Sequence, residues 1–163
     1  MASCGCGTSK LSVCGKYSAQ VTCDICAVQG ADYDITIFLK DIDGQLLDLD
    51  RFNLIEVFLF DINDNFISKF SNDSSTDNNT LVILQTIDTD STDNAIVNKG
   101  EILLELSAAL TSTIQYGNIY VEIRLKESNS NYTGNEKTSI ISCFKIGKII
   151  SSKIIKTELD SEE

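Results

Sequence analysis

Six cysteines in a chain of 163 residues that has no histidine are the first residues to weigh for chemistry. Cys4 and Cys6 form a C-x-C pair, Cys14 follows, Cys23 and Cys26 form a C-x-x-C pair, and Cys143 stands far downstream. Four thiolates at Cys6, Cys14, Cys23 and Cys26 could wrap one zinc ion, since zinc takes sulfur ligands in a tetrahedron and C-x-x-C presents two of them together. The same residues also suit free thiols, or disulfides formed after release into oxidising surroundings. Zinc is the one candidate cofactor, and the three states stay open at this point. Cys143 lies mid-strand in ISCFKI and reads as a small packing residue. A nucleophilic cysteine needs a base to take its proton, and a chain without His lacks the usual one.

The acidic clusters point to turns. Asp41-x-Asp43-Gly44, with Asp48 and Asp50 behind it, has the oxygen density of a calcium loop but not the register, since Gly comes too early and no Glu closes the loop. A hairpin turn accounts for the same residues, because Asp bonds to backbone N–H groups two residues on and Gly supplies positive φ. Asp61, Asp64 and Asn65 read the same way. With no phosphate loop, nucleophile elbow or dinucleotide fingerprint, and no Trp for sugar stacking, the expectation is a protein without catalysis.

The formal charge of −11 falls on residues 31–147, which hold 8 basic and 19 acidic side chains. That sign opposes phosphate binding, so sequence-specific recognition of nucleic acid is not expected. Apolar runs reach only four residues, as at Val57 to Phe60, far short of the roughly 18 that a membrane-spanning helix needs. The first residues show no apolar stretch behind a basic one, so no secretory signal is expected, and synthesis in a cytoplasm is.

The elements that must carry these residues are strands. Ile119, Val121, Ile123 and Leu125 alternate with Tyr120, Glu122, Arg124 and Lys126, a period of two with one face in a core. Tyr33 to Lys40 repeats the pattern, and Glu101 to Leu106 does so again. Asn53 to Asp61 and Thr80 to Ile87 are apolar on both faces, as for central strands. Phe66 to Phe70 returns from a turn at Asp61 to Asn65, Leu46 to Leu49 follows the Asp41 turn, and Thr138 to Ile146 closes the set. Ser71 to Asn79 and Asp88 to Asn94 are polar loops. Ser107 stands as an N-cap before Ala108, Ala109 and Leu110, so one helical turn is predicted to cross between sheets.

Seven or so short strands with polar turns predict an all-β fold: an Ig-like antiparallel β-sandwich with one short helical crossover and extended N- and C-terminal arms. The expected division is a Cys-rich arm over 1–30, the sandwich over 31–147, and an arm with an acidic tail over 148–163. Phe58, Phe60 and Tyr120 are aromatic on faces that need not be core, which makes them candidate contact residues.

The segments ITIFLKDIDGQLLDL, LIEVFLFDINDNFISKF, GEILLELSAALTS and YGNIYVEIRLK together resemble the Ig-like N-terminal module of phage baseplate upper proteins. The matching features are Asp48-Leu49 after the first strand, the hairpin at Phe60-Asp61, the Gly100 strand, the helical crossover, and Gly117 to Tyr120 before Glu122. The composition, with 21 Ile and 11 Lys against 2 Arg, is similar to that of AT-rich tailed phages, the crAss-like group among them. The resemblance implies a virion protein of collar, tail ring, baseplate or capsid decoration that docks other virion proteins in an oligomeric ring or array. Two other readings remain: an adhesion or receptor-binding sandwich module, and a zinc-organised cytosolic adaptor.

Overall fold

The computed structural model describes residues 12–13, 16–21, 25–73, 79–87 and 96–151. Among them, ten strands and one α-helix follow in chain order. They are β1 (Ser12–Val13), β2 (Ser18–Val21), β3 (Ile25–Val28), β4 (Tyr33–Lys40), β5 (Leu54–Phe60), β6 (Phe66–Ser71), β7 (Asn79–Ile87), β8 (Ile96–Leu106), α1 (Ala108–Thr113), β9 (Gly117–Ser128) and β10 (Glu136–Ile150).

Sheet A runs β1-β2-β4-β8-β7 and sheet B runs β6-β5-β9-β10-β3. Neighbours are antiparallel except that β3 lies parallel to β10, and that β6 and β7 join the sheets through two parallel pairs, Phe70 with Asn79 and Ser71 with Thr80. Lettered in the immunoglobulin manner, β2, β4, β8 and β7 are A, B, E and D, and β6, β5, β9 and β10 are C′, C, F and G. That is an immunoglobulin-like arrangement. The chain is therefore an all-β sandwich of immunoglobulin-like topology, with α1 as the crossover between β8 and β9.

The alternation in the sequence sets which side chains fill the space between the sheets. Ile35, Ile37 and Leu39 of β4 and Ile102, Leu104 and Leu106 of β8 face inward from sheet A. Ile55, Val57 and Leu59 of β5 and Ile119, Val121, Ile123 and Leu125 of β9 face inward from sheet B. All of them are buried. Antibody domains place an inter-sheet disulfide and a Trp in this layer, whereas these central strands pack aliphatic side chains there. At one end Glu127 is buried and answered by Arg51, whose Nε and Nη2 donate to its Oε2 at 3.1 and 2.9 Å, with Lys137 at 3.6 Å.

Helix α1 forms as its residues direct. The Leu110 N–H donates to Ser107 Oγ at 3.2 Å, and the Ala108 N–H donates to Asp32 Oδ1 at 2.6 Å, so two of the groups left open at the helix start are satisfied. Gly100 marks a close backbone approach in β8. At φ 68°, a Cβ there would lie 2.8 Å from both Leu39 O and Leu47 N, so only glycine fits.

Four expectations are corrected. Residues 17–21 and 25–28, placed in an amino-terminal arm over 1–30, belong to the sandwich: β2 pairs with β4, β3 pairs with β10, and Tyr17, Ala19, Val21 and Ala27 are buried. The sandwich also runs past 147, because β10 continues to Ile150 with Ile149 buried against the core. Of the two expected arms, residues 1–11, 14–15, 22–24 and 152–163 lie outside the described residues. Leu46 to Leu49 is not a strand but a single bridge from Lys40 to Leu46 followed by a 3-10 turn at Leu49–Arg51, which the Asp48 side chain caps. The polar loop expected over 71–79 begins as structure, since Ser71 is buried and Asn72 Oδ1 accepts the Ile55 N–H at 2.8 Å. Residues 74–78 and 88–94 lie outside the described residues.

Candidate docking face

The outward positions of sheet B bring four aromatic rings together, of which Phe66 is exposed. Register places Phe60 opposite both Tyr120 on β9 and Phe66 on β6, and Phe58 opposite Glu122 and Lys69. Phe58, Phe60 and Tyr120, singled out in the sequence, therefore share one face, although their side chains are only partly exposed. The ring of Phe66 lies 6.2 Å from that of Phe60 and 6.4 Å from that of Phe58, in tilted and edge-on geometry that suits aromatic pairs. Phe66 is 58% exposed and Ile140, which lies opposite Arg124 on β10, is 52% exposed. The hairpin sets this grouping: Asp61 turns the chain back so that β6 lays Phe66 beside β5.

Charge on this face is paired. The Arg124 guanidinium lies 4.6 Å above the Phe58 ring and donates to Glu122 Oε1 at 2.9 Å. Lys69 Nζ is 6.0 Å from the same ring centre and 3.0 Å from Glu56 Oε1, and Lys126 reaches Glu136 at 3.5 Å. Lys145 and Lys148 stand on β10 opposite Tyr120 and Asn118. Among the described residues, Lys69, Arg124 and Lys126 are each matched to one carboxylate on this face. Rings with an arginine above them are the groups that dominate protein interfaces.

The outward face of sheet A is built differently. Asp34 and Glu105 stand opposite each other on β4 and β8, and Glu101 stands opposite Phe38. None of the three carboxylates makes an ion pair among the described residues. Beside Glu101, Phe38 and Leu46 floor a shallow groove of about 400 Å³, rimmed by Gln20, Lys40 and Gln45, with Lys40 Nζ donating to Gln20 Oε1 at 2.9 Å.

The two aspartate clusters are turns. Asp41 Oδ1 accepts the N–H groups of Asp43 and Gln45, both at 2.9 Å, and Gly44 has φ 80°. Asp61 Oδ1 accepts those of Asn63 and Asn65 at 2.8 and 2.9 Å, while Oδ2 takes the Asn65 amide at 3.0 Å. The Asn65 side-chain hydrogen bond, with backbone donors behind it, holds the Asp61 carboxyl below its ordinary pKa despite the opposing effect of burial.

Of the four zinc candidates, Cys6, Cys14 and Cys23 lie outside the described residues. Cys26, on β3, is disulfide-bonded. A cystine sulfur offers no thiolate, so the oxidised chain cannot use Cys26 in the four-sulfur site expected from the spacing. No cluster of three or more metal-ligating side chains occurs among the described residues.

Sequence reasoning missed Phe66, Arg124 and Ile140. Phe66 precedes Ile67, Arg124 lies between Ile123 and Leu125 and Ile140 precedes Ile141, so nothing local marks them out, and only the register across β6, β5, β9 and β10 brings them together. The hairpin was the available signal, since pairing Phe60 with a residue just past the Asp61 turn points to Phe66.

The chain matches no protein-family model and no curated protein. Among solved structures it is similar to murine CRIg, at 12% identity and a TM-score of 0.36, over 85% of this chain and 100% of that one.

Proposed function

We propose that this chain is a non-enzymatic structural protein of a tailed-phage virion, made in the host cytoplasm and placed in a collar, tail ring, baseplate or capsid decoration. Its work is to dock neighbouring virion proteins through sheet faces, sheet edges and terminal arms, as copies in a ring or array, with no turnover. The observation that supports this is the grouping of Phe58, Phe60, Phe66 and Tyr120 on one outer face of sheet B, with Arg124 over the Phe58 ring. Such a face exposes apolar rings at a cost in solubility that contact with a neighbour removes. Proteomics of purified particles tests the reading: a fixed copy number per particle is expected, and absence from the particles contradicts it.

One observation favours a second reading, an adhesion or receptor-binding module. The Cys26 disulfide suits surroundings that oxidise thiols. A released virion also meets such surroundings, so thiol alkylation before and after lysis separates the cases. Reduced cysteines inside the cell and a disulfide in the particle fit the virion reading. A disulfide already present on export fits the adhesion module.

A further inference from the structure

Cys26 is disulfide-bonded, and the register of its strand limits where the second sulfur comes from. The chain offers Cys4, Cys6, Cys14 and Cys23 upstream, and Cys143 on β10, the strand that β3 lies against. Cys26 stands opposite Lys148, which stands opposite Asn118 on β9. Ile141 and Phe144, which flank Cys143, stand opposite Ile123 and Val121. Cys143 therefore lies at least three β9 residues from the level of Cys26, about 10 Å at roughly 3.3 Å per residue. A disulfide needs Cα atoms within about 7 Å, so Cys143 is out of reach. We propose that the Cys26 disulfide closes upstream, onto Cys4, Cys6, Cys14 or Cys23, as a redox latch on the stretch before β3.

The contacts of β3 say what the bond is for. Ala27 is buried, the Tyr33 hydroxyl donates to the Cys26 carbonyl at 2.6 Å, and the Gln29 N–H donates to Ile150 O at 2.9 Å. Just past the strand, the Gly30 N–H donates to Thr111 Oγ1 at 3.1 Å and Gln29 Nε2 donates to Ile114 O at 3.2 Å. These contacts hold β3 on β10 and α1 whether the disulfide is open or closed. What the bond adds is a covalent tie from an anchored strand to the chain before it. It joins no two of the central strands β4, β5, β8 and β9, which contain no cysteine, unlike the inter-sheet disulfide of antibody domains. Closing the latch forms one S–S bond and releases two protons and two electrons. A small-molecule disulfide such as oxidised glutathione takes them up through a mixed disulfide and leaves as two thiols, and excess thiol reverses the step.

Peptide mapping by mass spectrometry without reduction, on the full chain equilibrated with oxidised glutathione, tests the connectivity. A peptide linking Cys26 to one of the four upstream cysteines is expected, and a Cys26–Cys143 link or a Cys26 that stays reduced overturns the proposal. Hydrogen exchange on the oxidised and reduced chain then tests the latch. On reduction, amides inside the closed loop, those of β2 apart, should exchange at least about tenfold faster, while those of β3 keep their protection within about twofold. Unchanged exchange in the loop overturns the latch, and so does loss of protection across β3, which would make the bond a staple of the sandwich itself. Cys26→Ser should show the reduced pattern in either buffer, and Cys143→Ser should still switch as wild type does. A Cys143→Ser chain that no longer switches overturns the assignment independently.

Discussion

The two outer faces of the sandwich grow from the same alternating pattern and end with opposite characters. On sheet B the outward positions hold rings in contact with one another and carboxylates already matched to Lys69, Arg124 and Lys126. On sheet A they hold carboxylates without ion partners among the described residues, beside a groove. A period of two tells which residues leave the core, but not what they meet outside it. Register decides that, because it sets which outward residue of one strand stands beside which outward residue of the next.

The largest expected effect lies where sheet A meets the chain that leads to its groove. Gly100→Ala puts a methyl group against Leu39 and Leu47 backbone at positive φ, and stability to urea should fall by about 3 kcal/mol. Retention of wild-type stability would mean that β8 does not approach that backbone so closely.

Next comes a pair of ring deletions. Phe58→Ala removes a ring that packs against Phe66 and lies under Arg124, and should cost about 1–2 kcal/mol. Phe38→Ala, at a groove on the opposite face, should cost less than about 1 kcal/mol in the free chain. Equal costs in urea titrations would erase the contrast between the faces.

A smaller effect concerns acid. The Asp61 carboxyl is held below its ordinary pKa in the fold, so its hydrogen bonds stabilise the hairpin above the unfolded-state value, and that contribution is lost as pH falls through the lowered folded value. The stability gap between wild type and Asp61→Asn should therefore narrow as pH drops from neutrality toward the strongly acid range. A gap that widens on acidification would contradict the assigned hydrogen bonds.

The smallest effect compares carboxylates. Glu122→Gln loses a partly exposed pair with Arg124 and should cost about 0.5 kcal/mol. Glu105→Gln relieves an unpaired charge opposite Asp34 and should be neutral or slightly stabilising. The reverse order in thermal or urea melts would show that the sheet B pairs do not form in solution.

Much of this fold was legible in the sequence for a simple reason. Tyr33 to Lys40 alternates without interruption, and β4 has those same ends. Ser107 was read as an N-cap, and its hydroxyl accepts the Leu110 N–H. The first sandwich strands were harder to read. Ser18–Val21 is short and mixes Ser, Ala, Gln and Val, and Ile25–Val28 shares its segment with Cys26, so the cysteine pattern drew the eye to metal chemistry instead. Tyr17, Ala19 and Val21 did carry a period of two. The face itself was half legible: Phe58, Phe60 and Tyr120 showed as second-face aromatics, while Phe66 and Arg124 needed the register of strands distant in sequence.

Hydroxyl-radical footprinting of side chains, on the free chain and on the chain inside purified particles, tests the central claim most directly. The account predicts that Phe58, Phe60, Phe66 and Tyr120 lose reactivity together on incorporation, while exposed Ile42 and Tyr132, at loops away from the sheet B face, lose little. Unchanged labelling of the four rings in the particle would contradict it.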